Sequence, residues 1–152
     1  MTPPAPRTPE QRKKDTLDRL DHDVDAWVAT AGDGGVPYMV PLSFLWDGAT
    51  LLIATATASP TARNLLANGQ VRLGVGLVRD VVLIEGTAEA TPAAEIPAGI
   101  GDAFAAKTGF DPRELTSAYH YFRIAPQRLQ AWREVDELAG RDLIRDGEWT
   151  VS

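Results

Sequence analysis

The sequence predicts a small antiparallel β-barrel of six or seven strands with short flanking helices. Two observations carry that prediction. Short apolar or alternating runs recur between Gly, Pro and Asp-Gly signals from Trp27 to Thr150, which is the pattern of hairpin-connected strands. The helical stretches between them are too few to supply a crossover after every strand, which argues against a parallel βαβ sheet. At 152 residues the chain fits one compact domain, and no internal repeat divides it.

Each element has a local reason. Residues 1–10, MTPPAPRTPE, are rich in proline with little to bury, and read as a flexible tail ahead of a single domain over residues 11–152. A helix should start near Thr8, three residues before Gln11, with Pro9 at the first helical position. Leu17, Leu20 and Val24 give it a thin apolar stripe. Trp27–Thr30 is a short strand, followed by a glycine-rich turn. From Val36 to Trp46 the residues alternate, but both faces are largely apolar. Such a strand needs a barrel core on one side and a second subunit or a ligand on the other. Pro37 and Pro41 cannot donate ladder hydrogen bonds, so they mark an irregular stretch.

Asp47-Gly48 is a hairpin turn into Leu51–Thr57. A short helix follows, with Ser59 as N-cap, Pro60 first and Gly69 as terminator. Val71–Val78 and Val81–Ala90 are two more strands. Their glycines, Gly74, Gly76 and Gly86, suggest bends or the close approach of a ligand. Residues 91–100 form a connection, Gly101–Thr108 a helix, and Asp111-Pro112 a further short turn of helix. A strand from Tyr119 to Trp132 is expected to break at Pro126, and a hairpin around Asp146-Gly147 closes the chain.

Composition excludes several chemistries. The chain has no cysteine, which removes disulfides, thiolate zinc sites, iron–sulfur clusters and a catalytic thiol. With 21 acidic against 15 basic residues the net charge is −6, unfavourable for general binding to nucleic acid or anionic membrane. No apolar run has membrane-span length and no signal-peptide core opens the chain, so a cytoplasmic protein is expected. No metal site is expected either, because His22 and His120 are distant in sequence and His22 reads as part of a solvated acidic helix end. No acid–base or nucleophilic constellation stands out. If the chain is an enzyme, a bound cofactor carries the reaction.

One stretch does point to a ligand. The strand-to-helix junction from Ala54 to Asn64 offers the free N–H groups of a helix N-terminus, lined by Thr55, Thr57, Ser59 and Thr61, with Arg63 one turn inside. Residues 59–79 hold Arg63, Arg72 and Arg79 and no acid. That local inversion of charge suits an anion such as phosphate, although a plain N-cap with solvated arginines would look the same.

From about Asp25 to Ala90 the sequence resembles the pyridoxamine 5′-phosphate oxidase-like flavin-binding split β-barrels. The resemblance lies in Gly35-Val36-Pro37-Tyr38, the Asp47-Gly48 hairpin, Ile53-Ala54-Thr55, and above all Pro60-Thr61-Ala62-Arg63-Asn64-Leu65. It continues through Asn68-Gly69-Gln70-Val71-Arg72-Leu73 and Arg79-Asp80-Val81-Val82 to Ile84-Glu85-Gly86-Thr87-Ala88. The resemblance implies a homodimer with flavin sites at the subunit interface. Val40, Pro41, Leu42 and Ser43 would line the flavin ring, largely through backbone groups. Ala54 and Thr55 would meet the ribityl chain or phosphate, and Ser59, Thr61, Arg63 and Asn64 the phosphate. Asp80 would reach the cofactor, and Trp132 would come from the partner subunit.

The chain departs from the family pattern where a basic pair is replaced by Pro60-Thr61 and a phosphate-binding arginine by Val40, so phosphate affinity leans on Arg63. Its end, Glu148-Trp149-Thr150-Val151-Ser152, lacks the Arg-Leu tail of the enzymes that make pyridoxal phosphate. The implied activity is hydride transfer between FMN and an unidentified small molecule. The alternatives are the deazaflavin coenzyme F-420 as cofactor, or a non-catalytic flavin- or haem-binding protein.

Overall fold

The computed structural model describes residues 5–152. Helix α1 (Pro9–His22) is followed by strands β1 (Asp25–Ala31), β2 (Pro37–Trp46) and β3 (Leu51–Ala56). Then come helix α2 (Pro60–Asn68), β4 (Gln70–Leu77), β5 (Asp80–Pro92), helix α3 (Ala98–Thr108), β6 (Tyr119–Trp132), β7 (Asp142–Arg145) and β8 (Glu148–Trp149). The strands run β3-β2-β1-β4-β5-β6, and a β3–β6 ladder closes them into a six-stranded antiparallel barrel. The edge of β6 that pairs with β3 over Tyr119–Ile124 pairs further on with β7, which carries β8 as an extension.

The helix boundaries follow the expected side-chain chemistry. The Thr8 hydroxyl accepts from the Gln11 N–H, and the Ser59 hydroxyl from the Ala62 N–H. Gly69 ends α2 with φ +69°, a left-handed conformation that glycine adopts without steric cost. In the β2–β3 hairpin the Asp47 carboxylate accepts from the Ala49 and Thr50 N–H groups and from the Thr50 hydroxyl. These bonds hold its pKa below the ordinary carboxylate value, against the opposing effect of burial.

The barrel is filled by inward side chains, among them Val28, Phe44, Ile53, Leu73, Ile84, Phe122, Ile124 and Leu129. A second apolar cluster lies outside the wall, where α3 covers Leu52, Ala54 and Tyr121 with Phe104. The expected connection over residues 91–100 takes part in this core through Ala93, Ile96 and Ile100, beside Phe104 of the expected helix. Strand β2 has its two covers in unequal measure: Phe44 and Trp46 are buried, while Met39 on the opposite face is exposed.

Three expectations change. Of the flexible tail over residues 1–10, residues 1–4 lie outside the described residues, and the rest is tied down. Arg7 donates to both carboxylate oxygens of Glu137, at 2.7 and 3.0 Å, and α1 has begun by Pro9. Strand β6 runs through Pro126 without a break, because the β5–β6 register shifts at Glu85/Gly86 and absorbs the proline in a bulge. Gly86 makes room there for the neighbouring strand, not for a ligand: a Cβ on it would lie 2.7 Å from the Ala125 carbonyl oxygen.

Candidate functional site

The barrel wall is open between β2 and β3. β2 and β3 pair only between Phe44–Trp46 and Leu51–Ile53. Beyond Ile53, β3 follows β6 instead, with Ala54 opposite Tyr121 and Thr55 opposite His120. The Phe44 N–H donates to the Val24 carbonyl, and bonding directions alternate along an antiparallel strand. Even-numbered residues of β2 therefore bond to β1. Pro41 and Ser43 direct their carbonyls, and Ser43 its N–H, into the split that β3 has vacated. Pro41 is tolerated here because its missing N–H would also face the split.

A cavity of 420 Å³ occupies this split, lined by Asp25, Pro41, Leu42, Ser43, Ala54, Phe104 and Phe110. That volume suits a small organic ligand. Of the four β2 residues expected to line a flavin ring, Pro41, Leu42 and Ser43 line this cavity. Val40 does not: it lies opposite Val28 and its backbone bonds to β1. Asp25, Phe104 and Phe110 join the site without having been foreseen. Phe104 stands edge-on to Tyr121, with centroids 5.5 Å apart and an interplanar angle of 85°. The buried Tyr121 hydroxyl has no hydrogen-bond partner among the described residues, and burial pushes its pKa up.

The N-terminus of α2 stands beyond the end of β3, on the strand that supplies Ala54 to the cavity. The Thr55 and Ser59 hydroxyls are 3.0 Å apart, and the Thr57 hydroxyl meets His120 Nδ1 at 2.7 Å. Thr61 is only 1 % exposed as a whole residue, so its hydroxyl is not presented at the surface; its backbone N–H is one of the first-turn amides with no carbonyl inside the helix. Asn64 is engaged elsewhere: its amide donates to the Thr30 hydroxyl at 3.1 Å and moors α2 to β1. The excess of positive charge shrinks on folding. Arg72 pairs with Glu85 and Arg79 with Glu134, whereas exposed Arg63 forms no ion pair among the described residues.

Asp80 and Trp132 are not brought to this site within one chain. Val81 pairs with Trp132 at one end of the β5–β6 ladder, and Pro92 pairs with His120 at the other. Asp80 is further occupied by ion pairs to Arg19 at 3.2 Å and Arg7 at 3.6 Å.

A second surface adjoins the split. Trp27 (54 % exposed), Met39 and Leu77 (69 %) belong to a broad apolar face across β1, β2, β4 and β5. The Trp27–Pro41 cross-strand pair connects this face to the Asp25–Ser43 pair at the cavity. A patch this apolar on a small protein marks an interaction surface. Among the described residues no helix is long and apolar enough to cross a membrane, and no cluster of ligating side chains could hold a metal ion.

Comparison with known proteins agrees with the architecture. The sequence profile of the pyridoxamine 5′-phosphate oxidase family matches residues 17–133. Among solved structures, a Listeria innocua protein named provisionally as a pyridoxamine 5′-phosphate oxidase superimposes with a TM-score of 0.64 at 19% identity, covering 80% of this chain and 98% of that one. An F-420 reductase gives 0.60 at 19% identity, covering 74% and 93%. An FAD-binding protein of Mesorhizobium loti gives 0.61 at 21%, covering 77% and 89%. At these identities the likeness is one of fold. None of the curated proteins matches the sequence.

Proposed function

The chain belongs to the pyridoxamine 5′-phosphate oxidase family, and from that premise we propose that it is a flavin-dependent oxidoreductase, working in the cytoplasm as a homodimer. The observation that carries the reading is the split between β2 and β3. It combines unpaired strand backbone, an aromatic cover and, at the end of β3, a helix N-terminus with an arginine that forms no ion pair among the described residues. FMN is the cofactor of this reading. When bound, it supplies a hydride acceptor and donor at its N5 atom.

The chain's own residues would bind and shield. The Ser43 N–H and the Pro41 and Ser43 carbonyls complement the polar edge of the ring, with Leu42 and Ala54 as apolar contacts. The Thr61 N–H, the Thr55 and Ser59 hydroxyls and Arg63 would take the phosphate. Phe104 and Phe110 exclude water from the ring, which strengthens every polar contact inside. A second copy seated on the Trp27–Leu77 face would wall the cavity, since the two surfaces are continuous. It is also the way for Trp132 of the partner subunit to reach a site that the same chain's Trp132 cannot. Asp80, held by Arg7 and Arg19, would fix its hairpin rather than touch the cofactor. Deazaflavin F-420 is the second reading, supported by the fold shared with an F-420 reductase.

The test is to add FMN and F-420 separately to the purified protein, then reduce the complex anaerobically and reoxidise it with a small quinone. A bound flavin spectrum, with half-reactions faster than those of the free cofactor, is expected. A protein that binds neither cofactor overturns the reading. One that binds FMN without accelerating either half-reaction is a carrier, not an oxidoreductase.

A further inference from the structure

We propose that His120 is a positioning residue for the phosphate at the start of α2, acting through the Thr57 hydroxyl, so that FMN is bound together with a proton. The residues at this corner come from one face of the barrel wall. Ile53 and Phe122 fill the core, and side chains on one face of a strand recur every second residue. Thr55 shares that face with Ile53, and His120, opposite Thr55 in register, shares it with Phe122. The Thr57 N–H donates to the Ala118 carbonyl at 2.9 Å, which extends the ladder past the end of β3 and sets Thr57 beside the imidazole. The imidazole is stacked on Phe122, with centroids 6.0 Å apart and an interplanar angle of 27°.

Three hydroxyls and one imidazole thus meet just before α2, and they differ in their protons. Ser59 Oγ accepts from the Ala62 N–H at 3.1 Å and lies 3.0 Å from Thr55 Oγ1. Whichever of these two hydroxyls donates to the other, one proton remains for an anion. Thr57 has a single hydroxyl proton and meets His120 Nδ1 at 2.7 Å. If Thr57 donates to Nδ1, that proton is spent and only lone pairs face a phosphate. If Nδ1 carries a hydrogen and donates instead, the Thr57 proton is free for the phosphate. An imidazolium always has that hydrogen and adds a positive charge. His120 therefore decides whether Thr57 donates to the site. Around it, β3 supplies hydroxyls and β5 supplies Pro92. The 290 Å³ cavity that His120 and Thr57 share is lined by Arg113 and Tyr119 and, among the described residues, by no carboxylate. Arg113 is tied to Asp102 and Asp111, each at 2.8 Å.

The inference rests on reading the start of α2 as the phosphate site. It is tested by fluorescence titration of the full chain with FMN, and with riboflavin, which lacks the phosphate, between pH 8 and pH 5.5. The ratio of wild-type to His120→Gln affinity for FMN should grow about tenfold as pH falls through the histidine range, the effect of gaining a proton beside a phosphate. The phosphate and His22 titrate with both proteins and cancel from the ratio. Riboflavin should show no growth. In a Thr57→Val background the same His120 substitution should leave a growth below about threefold. Should His120→Gln not fold, the ratio of wild type to Thr57→Val must show the tenfold growth instead. A constant ratio, equal growth with riboflavin, or full growth in the Thr57→Val background would overturn the proposal and leave FMN binding intact. No FMN binding at any pH would overturn both this proposal and the cofactor reading.

Discussion

Glu137 should be the most pH-sensitive single contributor to stability, and Glu137→Gln the variant that reveals it. Its carboxylate is 1 % exposed and accepts from the Arg7 N–H at 2.8 Å, from the Arg7 guanidinium at 2.7 and 3.0 Å, and from the Arg133 N–H at 2.9 Å. Hydrogen bonding to Arg7 is the main cause that holds its pKa at about 2, against an ordinary 4.5, and it outweighs the cost of burial. A folded value below the unfolded one means stability that is complete above about pH 4.5 and gone by about pH 2. The difference is worth about 3 kcal/mol at neutral pH. Removing one partner of a buried ion pair costs about 3–5 kcal/mol by mutational precedent, so the two routes to the magnitude agree.

Urea unfolding of wild type and Glu137→Gln at several values between pH 7 and pH 2.5 tests this. At pH 7 the variant should be about 3 kcal/mol less stable, and the gap should close as pH falls below 4.5. Asp142, also held at about 2, titrates in both proteins and cancels from the difference. A gap below 1 kcal/mol at pH 7, or one that stays constant with pH, would refute the reasoning.

Three further outcomes follow from the same structure. Tyr121→Phe keeps the ring against Phe104 and removes an unpartnered buried hydroxyl, so it should stabilise the fold by about 1–3 kcal/mol in thermal or urea unfolding; a loss of stability would mean the hydroxyl is hydrogen-bonded. Arg63→Ala should weaken FMN binding by about ten- to a hundredfold, the loss of one charge-assisted phosphate contact. Its fold should be unchanged, because Arg63 is exposed; equal FMN affinity by fluorescence titration would remove α2 from the phosphate site. Trp27→Glu on the apolar face should convert a dimer to monomer in sedimentation analysis, and an unchanged sedimentation coefficient would move the interface elsewhere.

What the sequence disclosed was mostly local. Thr8, Ser59, Pro60 and Gly69 act within three or four residues of themselves, so their caps and stops were legible, as was the Asp47-Gly48 turn. The alternation of β2 announced a barrel strand, and its second apolar face announced an outer surface. What stayed hidden depends on partners far along the chain. The split exists because β3 leaves β2 for β6, a competition between ladders that no window of sequence contains. Asp25 joins the site only through its register with Ser43, and Phe104 and Phe110 only because α3 folds back over β3 and β6. Charge misled for the same reason. Arg72 and Arg79 looked free in a stretch without acids, yet Glu85 and Glu134, both outside that stretch, neutralise them. The Arg7–Glu137 clasp spans 130 positions, and it turns much of an expected tail into a fastened segment.

Whether the opening between β2 and β3 receives a flavin is decided by a fluorescence titration of FMN. The wild type is compared with Pro41→Trp, a substitution at an exposed position that fills the cavity without removing a ladder hydrogen bond. Saturable quenching at one FMN per chain is expected for the wild type, and none for a folded Pro41→Trp variant. Equal binding by both proteins, or binding by neither, would contradict it.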